Sequence, residues 1–340
     1  MVIRRCLTLF VICYLSILML ASTVSSNGEL FDEGLADPLP SWKDGLVKDA
    51  IINFVANTTN ESHPNYVAPE ERIATFDNDG TLLCELPDVV QVSFMLDRIR
   101  EMAPEHAEWN DMEPFSSILS GDRFNSANFS LNETIQIYIT TSANLTSDQY
   151  ISLSKDWLNK SQHPRFGQPY TKCVYKPMLE LLGYLRSEGF KVYIVTGGDE
   201  DFVRSFSDEI YGIPPEQVIG SALRVQFVED NHNVSVVKLP QILVFDDGQE
   251  KVKEIVQNIG LRPIFAYGNS DGDIPMLQYA TSDNRHGLGL LNHHDDPIRE
   301  YAYDRLAMGA TGKLDKGLDM AGEWGWQVVS MKDDWKEIWA

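Results

Sequence analysis

The run Arg72-Ile73-Ala74-Thr75-Phe76 ends by delivering two carboxylates into a glycine turn, Asp77-Asn78-Asp79-Gly80-Thr81. A short apolar run closed by turn residues reads as a buried strand. Acids at the carboxyl end of such a strand would burden a core. At the open end of an α/β sheet, where ligands bind beyond the strand tips, they have a use. The same arrangement returns twice. Lys191-Val192-Tyr193-Ile194-Val195 runs into Thr196-Gly197-Gly198, and a strand over Pro263 to Tyr267 runs into Gly268-Asn269-Ser270-Asp271-Gly272-Asp273. Helical spacing lies between and after these strands, as at Gln249 to Ile259 and Met276 to Ala280. Strands alternating with helices predict an α/β fold: a Rossmann-like, three-layer parallel sheet with helices on both faces.

Between the first two strand ends the pattern is helical only. Val92, Met95, Leu96 and Ile99 fall at i, i+3, i+4 and i+7, and further helices are expected over Tyr150 to Leu158 and Met178 to Leu185. This predicts a core of residues 67–84 and 188–340, interrupted by a helical insertion at 85–187. Residues 27–66, with three prolines and one helix around Trp42 to Ala56, read as a lead-in arm. Arg224 to Val228 and Ser235 to Lys238 flank Asn231-His232-Asn233 as a β-hairpin. His293-His294-Asp295-Asp296 resembles a metal cluster only in composition and is expected to be a polar loop after a core strand.

The chain has 340 residues, 28 Lys+Arg and 50 Asp+Glu, a formal charge of -22. No basic cluster offsets that field, so nucleic acid and anionic lipid are unfavourable partners. Arg4 and Arg5 precede an apolar run from Cys6 to Ala21 and the small polar residues 22–26. Residues 1–26 therefore read as a signal peptide, too short to favour a retained membrane anchor. Seven Asn-x-Ser/Thr sequons follow, at Asn57, Asn60, Asn128, Asn132, Asn144, Asn159 and Asn233. A secreted or secretory-lumen glycoprotein is expected, or a periplasmic protein if bacterial.

The residues also specify chemistry. Phosphoryl transfer spreads charge over the moving oxygens, so it needs positioning, a cation and an in-line nucleophile. Asp77 and Asp79, two residues apart, point the same way, one able to attack and the other to move a proton. Two carboxylates facing a phosphate require a hard cation with oxygen ligands, which points to Mg²⁺. Thr196 offers a hydroxyl, and Gly197 and Gly198 offer close-approaching backbone, to the transferring oxygens.

With these motifs in order, the sequence resembles the haloacid dehalogenase superfamily, in its phosphoserine-phosphatase-like branch with a helical cap. The closing segment Val328 to Trp335 resembles secreted or periplasmic members of that branch. The resemblance implies that Asp77 is the nucleophile, forming an aspartyl-phosphate, and that Asp79 is the acid and base of phosphate-ester chemistry. It implies Lys251 as the compensating cation, nine residues before Gly260, with Lys253 as its rival. It implies that the insertion is a cap closing over the site. Metal ligands would be Asp77, Asp79, Asn269 and Asp273, with Asp271 open as an alternative. Many relatives carry Asp where this chain has Asn269, so weaker metal affinity is expected. Glu85 lies near the place where phosphoserine phosphatases hold an acid for the substrate amine. An amine or choline headgroup there would draw on Trp109, Phe115, Tyr138 and Trp157 as an aromatic cage, although cap core is the plainer role for these rings. Arg165 on the cap is a candidate phosphate contact. Cys84 and Cys173 stand at the two ends of the insertion and are expected to approach, as a disulfide or as separate buried thiols.

The expected activity is Mg²⁺-dependent hydrolysis of a small-molecule phosphate monoester. The alternatives are a phosphotransferase or mutase of the same superfamily, and an inert secreted binding protein on this fold.

Overall fold

The structure, a computed structural model, describes residues 37–121, 129–282, 286–306 and 312–340. The expected signal peptide and Asn128 lie outside the described residues. Elements follow in the order α1 (Leu46–Thr59), β1 (Ile73–Phe76), α2 (Val90–Met102), α3 (Phe115–Ser120), α4 (Leu131–Ser142), α5 (Ser147–Leu158), α6 (Lys176–Ser187) and β2 (Lys191–Asp199). Next come α7 (Glu200–Arg204), α8 (Ser207–Tyr211), β3 (Val218–Asp230), β4 (Asn233–Val244), α9 (Gln249–Asn258) and β5 (Phe265–Gly268). The chain closes with α10 (Ile274–Thr281), β6 (Leu288–Asp295), β7 (Ala302–Tyr303), α11 (Lys316–Trp324) and β8 (Gln327–Ser330).

One sheet runs in the order β4-β3-β2-β1-β5-β6-β7, with β8 also paired to β6. Its centre is parallel, and the antiparallel pairs are β3 with β4 and β6 with β7. Period-2 alternation divides the core between the two faces. Phe76, Ile194, Phe265, Tyr267 and Leu290 join one apolar cluster, while Val195, Ala266 and Leu291 join the other with Ile255 and Leu277. β1 sits at the centre, buried at all four residues. Its register against β2 and β5 places Phe76 opposite Ile194 and Tyr267; β5 ends one residue later, and β2 runs on to Asp199.

Several boundaries differ from expectation. The presumed arm packs into the main core: Trp42 stands edge-on to Trp335 at 5.8 Å, and Phe54 packs on Phe265 at 5.8 Å. Its helix begins after Gly45, a residue that ends the preceding bend. The last expected cap helix, α6, buries Met178, Leu181, Leu182 and Leu185 against the sheet cluster and leads directly into β2, so it belongs to the core layers. His293 to Asp295 are strand residues of β6, not a loop. The hairpin is longer than its apolar segments suggested: β3 runs from Val218 to Asp230 and β4 from Asn233 to Val244, with exposed Glu229 and Asp230 still paired to Val234 and Asn233.

Candidate active site

β1 ends at Phe76, and the Asp77 N–H still donates to Tyr267 O at 2.9 Å, so the first carboxylate leaves the sheet in line with its strand. The chain then turns tightly. Gly80 has φ +72 and its N–H meets Leu83 O at 2.9 Å, while Asn78 O accepts from Thr81 and Leu82. No side chain fits at Gly80: a Cβ there would stand 2.0 Å from Asn269 Nδ2 and 2.5 Å from Glu85 Oε1. Behind the turn, Gly80 O lies 2.8 Å from His294 Nε2 and accepts from Asn292 Nδ2 at 3.1 Å. A carbonyl only accepts, so the His294 Nε2–H donates to it. His294 Nδ1 lies 3.2 Å from Glu300 Oε2.

Lys251, from the first turn of α9, is buried and spends its three donors on three partners. Its Nζ lies 2.8 Å from Asp77 Oδ1, 2.7 Å from Asp273 Oδ1 and 3.0 Å from Val195 O. Burial opposes its charge, but Asp273, Asp77 and Asp246 outweigh that and hold it well above the usual lysine range. Lys253 points elsewhere, into an exposed pair with Glu250. Burial, then the charge of Asp273, pushes the Asp77 carboxyl well up, and Lys251 works against both. Burial pushes Asp79 up to about 6, opposed by the hydrogen bond from Asn78 and by Lys251.

Asn269 lies at the end of β5, where Thr81 Oγ1 donates to its Oδ1 at 3.1 Å and its Nδ2 donates to Glu85 Oε1 at 2.9 Å. Asp273 corrects an expectation. Its Oδ1 is taken by Lys251, and its Oδ2 accepts from the Asn269 and Ser270 N–H groups at 3.0 Å each. Fully buried and committed on both oxygens, it positions Lys251 and the turn and is not free to ligate a metal. Asp271 is also diverted, with Oδ1 accepting from Asp315 N and Gly317 N at 3.0 Å.

These groups form the floor of a cavity of about 230 Å³. Asp77, Asp79, Glu85, Lys251 and Asn269 are polar lining, with Thr196, Gly197 and Gly198 on the β2 side. Thr196 Oγ1 accepts from Gly198 N at 3.1 Å, which closes the tight end of that strand. The opposite wall comes from the insertion and is largely apolar: Val89, Val92, Met95, Ile135 and Tyr138, with Phe245 from beyond the hairpin. Of the four candidate cage rings only Tyr138 reaches this space. Trp109 stacks on Phe115 at 4.5 Å, and Trp157 packs on Phe94 and Tyr170, because burying those rings in cap core leaves none for a ligand. Arg165 is likewise occupied, lying 4.4 Å over the Tyr301 ring and donating to Pro297 O.

Cys84 and Cys173 do approach, with Cys84 N donating to Cys173 O at 2.9 Å. They are free, buried thiols, the second of the two expected outcomes. The Cys84 thiol is turned to Glu300 Oε1 at 3.0 Å and Leu86 O at 3.3 Å, and that of Cys173 to Pro169 O.

Four further site residues carried no motif. Asp199, at the end of β2, caps α7 by accepting from Asp201 N and Phe202 N, takes the Tyr138 hydroxyl, and pairs with Lys238 at 3.0 Å. Gln91 Oε1 accepts from Asp199 N at 2.8 Å. Tyr303 donates to Glu85 Oε1 at 2.6 Å and stacks on His294 at 4.3 Å. The only sequence signal for any of these was the lone lysine closing the second hairpin segment.

Mg²⁺ suits this donor set. The cavity floor offers carboxylate and amide oxygens and no sulfur or imidazole, and Mg²⁺ takes one or two carboxylates while keeping waters and substrate oxygens. Among the described residues no three His, Cys, Asp or Glu are gathered as a metal cage.

No curated protein matches the sequence. Among solved structures, a conserved, functionally unknown protein from Anaerococcus prevotii is similar at 17% identity and TM-score 0.53, covering 84% of this chain and 91% of its own. A protein of unknown function from Bordetella pertussis follows at 13%, TM-score 0.47, with 76% and 98% covered. A phosphoserine phosphohydrolase-like protein from Francisella tularensis stands at 16%, TM-score 0.37, with 66% and 88% covered. At these identities the first supports the fold alone, and the other two add no weight. The family model for haloacid dehalogenase-like hydrolases matches residues 74–278, which is more than half of the chain and spans β1, the insertion, Lys251 and the Asn269 turn. The chain belongs to the haloacid dehalogenase-like hydrolases.

Proposed function

We propose that this protein is a Mg²⁺-dependent phosphomonoesterase that works through an aspartyl-phosphate on Asp77. The observation that carries the reading is the Asp77 carboxylate at the tip of the central strand, with one oxygen held by Lys251 at 2.8 Å and Asp79 beside it on the same cavity floor. Lys251 fixes one Asp77 oxygen and leaves the other to attack phosphorus. As that O–P bond forms, the P–O bond to the leaving group breaks, and Asp79 gives its proton to the departing oxygen. Asp79, now ionised, takes a proton from water, whose oxygen attacks phosphorus and frees Asp77 with release of phosphate. A carboxyl poised near pH 6 suits both transfers. Thr196 and the Gly197 and Gly198 backbone would meet the phosphoryl oxygens. Asp77, Asp79 and Asn269 would hold Mg²⁺, which would supply charge neutralisation for the phosphate.

The substrate in this reading is a small phosphorylated metabolite whose leaving group lies on the apolar wall of Val92, Met95 and Ile135. Secretion belongs to the same proposal. It is supported by the exposed sequon residues Asn60, Asn132, Asn144, Asn159 and Asn233. Among the described residues no helix is long and apolar enough to cross a membrane.

The test is a panel of phosphate esters assayed with and without Mg²⁺ on wild type, Asp77→Asn and Asp79→Asn. Wild type should release phosphate only with the metal. Asp79→Asn should lose roughly 10²–10⁴-fold in kcat, the usual contribution of a positioned acid or base. Asp77→Asn should show no turnover and no acid-stable, hydroxylamine-sensitive phosphorylation. Equal turnover by wild type and Asp77→Asn would overturn the mechanism.

A further inference from the structure

Glu85 is 2% exposed, lines the catalytic cavity and has a one-sided set of partners. Both donors that reach it, Tyr303 OH at 2.6 Å and Asn269 Nδ2 at 2.9 Å, meet Oε1, and among the described residues Oε2 has no hydrogen-bond partner. An acid buried to this degree is costly unless charge or donors compensate it. Lys251, the cation of the cavity floor, is spent on Asp77, Asp273 and Val195. Asp77 and Asp79 line the same cavity floor as Glu85. A divalent cation bound there would meet three acid side chains on one floor, with the lysine already committed.

Asn269 connects Glu85 to that cation. Its amide is gripped at both ends, Thr81 on Oδ1 and Glu85 on Nδ2, and Gly80 has no Cβ that could push the pair apart. An N–H given to a carboxylate polarises the amide, so Oδ1 becomes a better oxygen donor. A neutral side chain thereby takes on part of the character of an anionic ligand.

Resting on the reading of this floor as a Mg²⁺ site, we propose that Glu85 supplies the carboxylate charge that Asn269 itself lacks. It orients and polarises the amide and balances the cation across it. Glu85 is thus a positioning residue for the metal, and not a contact for a substrate amine.

The test is isothermal titration of Mg²⁺ into metal-free full-chain protein for wild type, Glu85→Gln, Asn269→Asp and the double variant, with melting temperature in EDTA as the folding control. Gln keeps an oxygen for both donors but removes the charge. Glu85→Gln should fold as wild type and weaken Mg²⁺ binding by about 10–100-fold, the usual loss when a group supporting a ligand is removed. Asn269→Asp with Glu85→Gln moves the charge by one residue and should restore the affinity. Asn269→Asp alone sets two acids against each other, so it should melt lower in EDTA and regain stability with Mg²⁺. A Glu85→Gln affinity equal to wild type would overturn the proposal, and so would a double variant as weak as Glu85→Gln. Unchanged Mg²⁺ affinity with a raised KM confined to amine-bearing esters would overturn it in favour of a substrate contact. Wild type that binds no Mg²⁺ would remove the metal reading on which the proposal stands.

Discussion

At Asp246, on the turn between β4 and α9, a fully buried carboxylate has neither oxygen hydrogen-bonded, although its backbone N–H donates to Ser221 Oγ at 2.9 Å. Burial pushes it up to about 7, with Lys251 pulling the other way. An unfolded aspartate ionises near 3.9, so the folded state prefers the protonated acid over a window from about 4 to 7. Below that window both states are neutral and Asp246 costs nothing electrostatic. As pH rises through it the unfolded chain ionises first, so stability is lost, and above about 7 the penalty is constant at a few kcal/mol. Asp246→Asn should therefore gain stability relative to wild type as pH climbs from 4 to 7, then hold that gain. Denaturant titrations of both metal-free proteins across this range would show it, and a difference independent of pH would reject it. Nothing near Asp246 in the sequence announces this burial. Its environment is made by Ser221 and Lys251, brought together by the fold. Asp77 and Asp79 were legible because their environment is set by the strand and turn in which they lie.

Among the elements, the hairpin does more than its pattern suggested. Lys238 in β4 is buried, pairs with Asp199 at 3.0 Å and Asp201 at 2.9 Å, and lies 4.6 Å from the centre of the Tyr150 ring. Its main chain is bonded to the α4–α5 connection on both sides, from Asn144 N and to Leu145 O. Tyr138 from α4 reaches the same Asp199. Cap, hairpin and strand end thus share one ion cluster beside the cavity. Lys238→Met would keep the backbone bonds and leave buried Asp199 without its cation, while Asp201 keeps Arg204 at 3.1 Å, a change worth about 3–5 kcal/mol. The variant should melt lower, and hydrogen exchange should quicken in α4 before it does in β1 or β5. Uniform quickening across the sheet would show that the cluster serves general stability and not the seating of the cap. The core strands, α2, α5 and α9 could be read from periodicity because each has one apolar face or is apolar throughout. The tip of the hairpin could not, since Glu229 and Asp230 owe their strand form to pairing with Val234 and Asn233. The strand at His293 to Asp295 was hidden for a related reason: His294 is buried by its bonds to Gly80 and Glu300, and not by apolar character.

For the whole molecule, a net charge of -22 sets the approach of an anionic substrate, and removal of residues 1–26 would deepen it by two. Single-sign fields of this size extend for about a Debye length, roughly 30 Å at 0.01 M salt and 8 Å at 0.15 M. On the proposed function, a phosphate ester at low salt is thus repelled well before it reaches the cavity, where the attraction of buried Lys251 and of a bound Mg²⁺ would act over only a few ångströms. Added salt screens the long repulsion strongly and the short, buried attraction weakly. For a substrate whose capture limits the rate, kcat/KM should rise as NaCl goes from 0.01 to 0.15 M at saturating Mg²⁺, while kcat stays level. A neutral competitive inhibitor should show no such dependence in its Kd. Steady-state rates on a doubly charged ester across this series decide the matter. A monotonic fall in kcat/KM would mean that the positive field of the loaded site reaches beyond the cavity mouth and governs encounter despite the acidic surface.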